Sequence, residues 1–283
     1  MAERVNSLPS LPPRPDEAHK GTFGRTLLVG GSVGMAGSIA LAGEATLRSG
    51  GGLVTLAVPE AVQPTVAGFF PAYMTRGWTM TGASSQSLAA GWRAMADTAD
   101  AVAIGPGLGR AVALQQAVAS FVATLAKPLV VDADALFSLR VRESAEPAGP
   151  RVFTPHVGEF ARLTEQDVDA IEADRVGQAE RAATKLRGVV VLKGPGTVVT
   201  DGRRTAVNET GNSGLATGGT GDVLTGIITA LLGQGVDAWD AARLGVHVHG
   251  LAGDFAAMSF GPRAMTAPDV LDSLSDAWRQ MGE

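Results

Sequence analysis

The sequence predicts an α/β fold: a mainly parallel central sheet with helices on both faces, three layers in all. Two observations carry this. Short β-branched runs alternate with longer helical stretches along the chain, and several of those runs end directly in a glycine-rich turn. A third supports it: of 283 residues, 45% are hydrophobic and 18% charged, enough to bury a large core.

The elements follow in order. Residues 1–20 hold Pro9, Pro12, Pro13 and Pro15 among polar residues and read as an extended, partly disordered tail, with Arg4, Arg14 and Lys20 solvated. Nothing divides the remainder, so 21–283 reads as a single domain. Thr26 to Gly30 is a buried strand that feeds Gly30-Gly31-Ser32, and a small-residue helix opens at Met35-Ala36-Gly37-Ser38. Leu53 to Val58 is the next strand, and a short helix starts at Pro59-Glu60. No period is visible over 69–87. A helix spans 88–96. The strand Ala101 to Ile104 ends in Gly105-Pro106-Gly107-Leu108-Gly109, and a helix covers 112–125.

The strand Pro128 to Val131 is followed by Asp132-Ala133-Asp134-Ala135-Leu136, with Asp134 either a ligand-facing acid or the cap of the next helix. A surface loop is expected over 142–150. Val152 to Thr154 is a strand leading to Pro155-His156-Val157-Gly158-Glu159, with Glu159 on a new helix. One long amphipathic helix is expected over 169–186. Val189 to Lys193 is a strand running into Gly194-Pro195-Gly196-Thr197, and a hairpin turns at Asp201-Gly202. Helices are expected over 223–232, 238–258 and 268–278. His247 and His249, two apart on the second of these, face different sides and read as packing or surface residues. In a parallel sheet the turns after successive strands line one edge, where ligands bind.

The densest signal is Glu209 to Asp222, small and polar, running into the apolar Val223 to Leu232. Glycines opening a buried helix leave its first N–H groups bare and place the positive end of its dipole there, which makes an anion site. Gly218, Gly219, Thr220 and Gly221 form this phosphate cradle. Asp222 would repel an anion, so it fits better as a base beside a bound phosphate. Lys193, emerging from a strand into a Gly/Pro turn, is placed to meet a nucleotide phosphate.

Several classes are excluded. A net charge of −5 argues against nucleic acid as a partner. With no cysteine there is no disulfide, thiol nucleophile or thiolate-held metal. Glycines at 30, 31, 34 and 37 have the wrong spacing for a dinucleotide fingerprint, and none of Lys20, Lys127, Lys185 and Lys193 follows a glycine as a Walker A lysine does. No stretch reads as a leader or a membrane span, so a cytoplasmic soluble protein is expected.

The glycine motifs at 30–37 and 105–109, the Asp132–Leu136 run, Thr154 to Glu159, Lys193 to Thr197 and above all Gly211 to Gly226 resemble the ADP-dependent NAD(P)H-hydrate dehydratases of the ribokinase-like superfamily. The likeness runs from about Lys20 to the last helix and is to the stand-alone form, since the chain has no room for the epimerase domain of fused relatives. It implies a ribokinase-like three-layer fold and dehydration of the S-epimer of hydrated NADH or NADPH (NADHX, NADPHX) while ADP becomes AMP and phosphate. It also implies Mg²⁺, with Glu159 and Asp132 as candidate ligands, and a homotetramer. By the same likeness Ala36, Gly107, His156 and Asp222 touch the hydrated nucleotide. Lys193, Gly194, Pro195, Gly196, Thr197 and Gly221 hold the adenine nucleotide. Two other functions fit the same residues: a ribokinase-like kinase of a small alcohol, and a non-catalytic nucleotide-binding protein.

Overall fold

A computed structural model describes residues 2–141 and 147–282. The loop expected over 142–150 therefore lies, as far as residue 146, outside the described residues. The chain begins with β1 (Glu3–Arg4), β2 (Arg25–Val29), α1 (Ala36–Arg48), β3 (Leu53–Pro59), α2 (Gln63–Phe69) and β4 (Met74–Trp78). It continues through α3 (Ser85–Ala96), β5 (Ala101–Ile104), α4 (Val112–Thr124), β6 (Leu129–Val131), α5 (Ala133–Phe137), β7 (Arg151–Phe153) and α6 (Val157–Thr164). The last part is α7 (Val168–Ala173), α8 (Arg175–Leu186), β8 (Val189–Leu192), β9 (Val198–Thr200), β10 (Arg204–Val207), α9 (Thr220–Gly233), α10 (Ala238–Phe260) and α11 (Ala267–Gln280).

The strands form one sheet in the order β1-β10-β9-β8-β7-β6-β5-β2-β3-β4. All neighbours are parallel except β9, which runs antiparallel to β8 and β10. From β2 the chain moves outward through β3 and β4, then returns to place β5 on the other side of β2. The order therefore reverses between β2 and β5, and such a reversal opens a crevice at the carboxyl ends of the strands.

Side-chain alternation sorts the core into two layers. Leu28, Leu56, Ala103, Val130, Val152 and Val191 face the layer of α1, α9, α10 and α11. Leu27, Val29, Ile104, Val131, Phe153 and Leu192 face that of α3 to α8. The expected architecture, a mainly parallel sheet with helices on both faces, is the one observed. Neighbouring residues of one strand go to opposite layers because the pleat has a period of two.

Three local expectations change. The helix expected over 169–186 breaks at Asp174, whose backbone leaves the helical region (φ −146°) and whose side chain accepts from the Gly177 amide, capping α8. The segment without a period contains β4, an edge strand of mixed polarity, Met-Thr-Arg-Gly-Trp, that shows no clean alternation. Within the lead-in, Glu3 and Arg4 pair with Arg204 and Thr205 of β10.

The buried α9 crosses α1 at Gly226. A β-carbon there would sit 2.2 Å from the Ala42 carbonyl oxygen and 2.6 Å from Ala45 Cβ. The Thr46 hydroxyl ties the crossing by donating to the carbonyls of Ala42 (2.8 Å) and Gly226 (3.1 Å). Gly226→Ala gains about 1 kcal/mol of helix propensity but overpacks a backbone contact at a typical cost of ~1–3 kcal/mol. Backbone cannot rotate away as a side chain can, so the melting temperature is expected to fall. An unchanged or raised melting temperature would mean that the two helices do not approach this closely.

Candidate active site

The carboxyl ends of β2, β5, β6, β7 and β8 present Gly30, Gly105, Asp132, Thr154 and Lys193 along one edge. The parallel ladder continues into these turns: Gly105 N donates to Val29 O, Asp132 N to Ile104 O, Thr154 N to Val131 O and Lys193 N to Pro155 O. At the β2/β5 reversal the turns interlock. Gly31 N donates to Pro106 O at 2.8 Å. Gly107 has φ +59°, and a β-carbon on it would meet the Met35 carbonyl oxygen at 2.5 Å and Ser38 Cβ at 3.1 Å. Only glycine fits both the conformation and the space. The contact brings the β5 turn against the first turn of α1.

Asp132 is the fixed point of this edge. It is 1% exposed, and both carboxylate oxygens are engaged. Oδ1 accepts from the Thr154 hydroxyl at 2.7 Å and from Lys193 Nζ at 3.1 Å; Oδ2 accepts from the Thr225 hydroxyl at 2.8 Å. Lys193 Nζ also lies 3.8 Å from Glu159 Oε2 and 3.3 Å from where a β-carbon of Gly221 would be. The ammonium is thus held between β6, α6 and the start of α9. Burial works against its charge, but Asp132, Glu159 and Asp222 outweigh that and raise its pKa. Arg175 fixes the strand end beneath it, donating to the carbonyls of Leu192 and Lys193 at 3.1 Å each.

The cradle is built as a helix start. Gly219 precedes α9 with φ +93°, and a β-carbon there would meet Leu41 Cδ1 at 2.7 Å and Ala267 Cβ at 3.0 Å, so a side chain is barred by conformation and space alike. The Thr220 hydroxyl donates to the carbonyls of Leu215 and Thr217, closing the turn. The amides of residues 220–222 open the helix without intrahelical acceptors. The preceding loop is anchored on α10: Gly211 N and Asn212 Nδ2 both donate to the Asp254 carboxylate, and the Thr210 hydroxyl donates to His247 O.

Asp222, in the first turn of α9, has its pKa pushed up to about 7. Burial is the largest cause, with the charges of Asp132 and Asp134 adding to it. A hydrogen bond from Ser38 and the Lys193 charge pull the other way. A carboxyl poised near neutrality is suited to exchange a proton at physiological pH.

His156 caps α6. Its Nδ1 accepts from the amides of Gly158 (3.0 Å) and Glu159 (3.3 Å), while Glu159 Oε2 accepts from the His156 amide at 2.9 Å. With Nδ1 an acceptor, the neutral ring carries its proton on Nε2, which lies 3.5 Å from Glu159 Oε1. Asp134 is not the cap of α5; Asp132 occupies that position. Asp134 instead accepts from the Gly109 amide at 2.9 Å and Arg110 Nε at 2.6 Å, tying the β5 turn to α5.

The predicted residues therefore fall into two groups. Asp222, Gly221, Lys193, Asp132 and Glu159 converge, with Ala36 and Gly107 joined to them through Ser38, and His156 through Glu159. Gly194, Pro195 and Gly196 form an exposed turn beyond Lys193, closed by the Thr197 hydroxyl on Gly194 O at 2.8 Å. Three contributors escape sequence reasoning. Ser38 and Thr225 are small hydroxyls on helices otherwise read as packing. His249 reads as a packing or surface residue. Its Nε2 donates to the Thr220 carbonyl at 2.8 Å, and burial, then Lys193, lowers its pKa to about 4.

The metal candidates divide likewise. Both Asp132 oxygens already accept hydrogen bonds, Oδ1 from Lys193 and Thr154 and Oδ2 from Thr225. Among the described residues no group of three His, Asp or Glu side chains is arranged to hold a metal ion. The side chains alone do not fit a protein-held Mg²⁺.

Known proteins resemble this chain in sequence and fold. A family model described as NAD(P)H-hydrate dehydratase matches residues 26–276. A bifunctional NAD(P)H-hydrate repair enzyme of Moorella thermoacetica is 44% identical over 96% of this chain, and the chain spans about half (52%) of that protein. The ADP-dependent (S)-NAD(P)H-hydrate dehydratase of Bacillus subtilis is 36% identical over 96% of this chain and 95% of its own length. A crystal structure of an ADP/ATP-dependent NAD(P)H-hydrate dehydratase from Bacillus subtilis, grown with ATP and Mg²⁺, superimposes with a TM-score of 0.84 at 34% identity, covering 96% and 95% of the two chains.

Two expectations follow from the charges. Asp132→Asn removes a negative neighbour of Asp222 and releases Lys193 toward it. Both effects favour the Asp222 carboxylate, so its titration, followed by carboxyl-carbon NMR, is expected to move below about 7; an unmoved titration would uncouple the two acids. His249 is depressed to about 4 in the fold, against 6.5 ordinarily. The folded chain thus binds fewer protons there than the unfolded chain. Its contribution is complete above pH 6.5 and is lost as pH falls toward 4. His249→Asn should flatten that part of the stability–pH curve, measured by denaturant unfolding.

Proposed function

The chain belongs to the NAD(P)H-hydrate dehydratase family, and we propose that it dehydrates the S-epimer of hydrated NADH or NADPH with ADP as co-substrate, releasing AMP and phosphate. The observation that carries the reading is Asp222: a desolvated carboxyl with a pKa near 7, in the first turn of a helix whose bare amides face the same space. A kinase or a dehydratase needs such a base beside a phosphate cradle, and the family decides between them.

Hydroxide is a poor leaving group from the hydrated ring, whereas phosphate is a good one. Asp222 accepts the proton of the ring hydroxyl as its oxygen bonds to the terminal phosphorus of ADP, and the bond to the AMP oxygen breaks. The amides of Gly219 to Gly221, at the positive end of α9, stabilise the transferring phosphoryl group. The ring nitrogen then expels phosphate, and loss of a proton from the adjacent carbon restores the dihydropyridine. Lys193, pinned by Asp132, supports the charge at the cradle. Ala36, Gly107 and His156 line the hydrated-nucleotide side. Gly194, Pro195, Gly196 and Thr197 hold the adenine nucleotide. Mg²⁺ is taken as arriving on the nucleotide phosphates, whose charge it neutralises. A cytoplasmic homotetramer completes the proposal, the oligomer being measurable by light scattering.

The test is recovery of reduced-nicotinamide absorbance from hydrated NADH with ADP and Mg²⁺. Asp222→Asn should lower kcat by about 10²–10⁴-fold while ADP binding, measured by calorimetry, is retained. In the unaltered enzyme the rate should fall as pH drops through about 7, because a protonated Asp222 accepts no further proton. Near-normal turnover in the variant removes Asp222 from the chemistry, and a stable phosphorylated product in the mass spectrum assigns a kinase instead.

A further inference from the structure

The carboxyl-end edge of the sheet is rich in acids. Asp132, Asp134, Glu159 and Asp222 gather there, and Lys193 is already committed to Asp132 and Glu159. A hydrated dinucleotide brings a pyrophosphate, and its phosphorylated form brings one phosphate more. Binding such an anion beside four carboxylates requires a cation with donors to spare.

Arg110 has that character. It follows Gly109 at the end of the β5 turn, three positions beyond Gly107. Its Nε donates to Asp134 Oδ1 at 2.6 Å, and Asp134 Oδ2 holds the Gly109 amide, so one carboxylate fixes both the side chain and the turn that carries it. The guanidinium lies 4.8 Å from the centre of the Phe137 ring. Its side chain is 58% exposed, and among the described residues its two Nη groups donate to no acceptor. Two further guanidiniums lie close by, one of them over the same ring, but theirs are occupied. Arg162 lies 4.1 Å from the Phe137 ring centre and donates to the Phe137 carbonyl at 2.6 Å. Arg140 donates to Leu139 O at 2.7 Å and to Phe137 O at 3.3 Å, and lies 3.5 Å from Glu165. Their mutual repulsion adds to burial in lowering the pKa of Arg162. An anion at Arg110 would relieve that repulsion. Two parallel Nη groups match two phosphate oxygens, which a lysine cannot reproduce.

We propose that Arg110, pinned by Asp134 and stacked on Phe137, is the subsite for a phosphate group of the hydrated dinucleotide. The inference rests on the dehydratase reading and adds the residue that recognises the far part of the substrate. Two phosphates share this chemistry: the pyrophosphate common to NADHX and NADPHX, and the ribose 2′-phosphate that only NADPHX carries.

The experiment compares Arg110→Ala and Arg110→Lys with the unaltered enzyme. KM and kcat are measured for NADHX and NADPHX at saturating ADP, and affinity for NADH and NADPH is measured by calorimetry, which needs no turnover. Loss of a partly exposed charge-assisted pair should raise KM by roughly tenfold, far more than kcat changes, with the lysine variant intermediate and the KM for ADP unmoved. A rise for both hydrates assigns the pyrophosphate; a rise for NADPHX alone assigns the 2′-phosphate. The inference is overturned if dinucleotide affinity and both KM values stay within about twofold, if the KM for ADP rises instead, or if the unaltered enzyme binds neither dinucleotide. Absence of hydrate turnover by the unaltered enzyme removes the dehydratase reading separately.

Discussion

The Lys193 ammonium, held between Asp132 and Glu159 against the first turn of α9, is the contact on which the rest of the site depends. It joins three elements that share no sequence proximity: the end of β6, the start of α6 and the start of α9. A buried ion pair returns little net stability, because desolvation cancels most of the Coulomb gain. What it fixes is position. With Thr154 and Thr225 completing the Asp132 shell, neither partner has another place to go.

This arrangement also sets the chemistry of Asp222. An aspartate in water is ionised at neutral pH and is a weak base. Here burial and Asp132 push the carboxyl up, while Lys193 and Ser38 restrain the shift, and the balance falls near 7. Residues 220–222 are at once the bare helix start and the bearer of the carboxylate. Distance between base and cradle is therefore set by one helical turn and not by a flexible loop. His249 holds that turn from below through the Thr220 carbonyl, in the neutral form that its burial enforces.

Charge is arranged differently on the two sides of the strand reversal. On the β8 side the Lys193 ammonium is paired with Asp132 and Glu159. On the β5 side a guanidinium keeps free donors and is braced by Asp134 and Phe137. The reversal of strand order between β2 and β5 gives the space in which the two sides face each other.

Much of this was legible in the chain. Alternating apolar runs and helical periods, glycine turns directly after strands, and the polar-to-apolar change at Asp222 are local signals, and each follows from backbone sterics or from the period of an element. They determined the layered architecture, the glycine turns at the carboxyl ends of the strands, and Asp222 in the first turn of a buried helix. What the sequence left open were partnerships. Asp132 reads as a candidate metal ligand until Lys193 is seen on one oxygen and Thr225, 93 positions away, on the other. Asp134 reads as either a ligand-facing acid or a helix cap until the β5 turn is seen beside it, and His249 as a packing or surface residue until its ring is seen on the Thr220 carbonyl. Side-chain pairing across layers depends on which elements the sheet order makes neighbours, and that order is fixed only when the whole core closes.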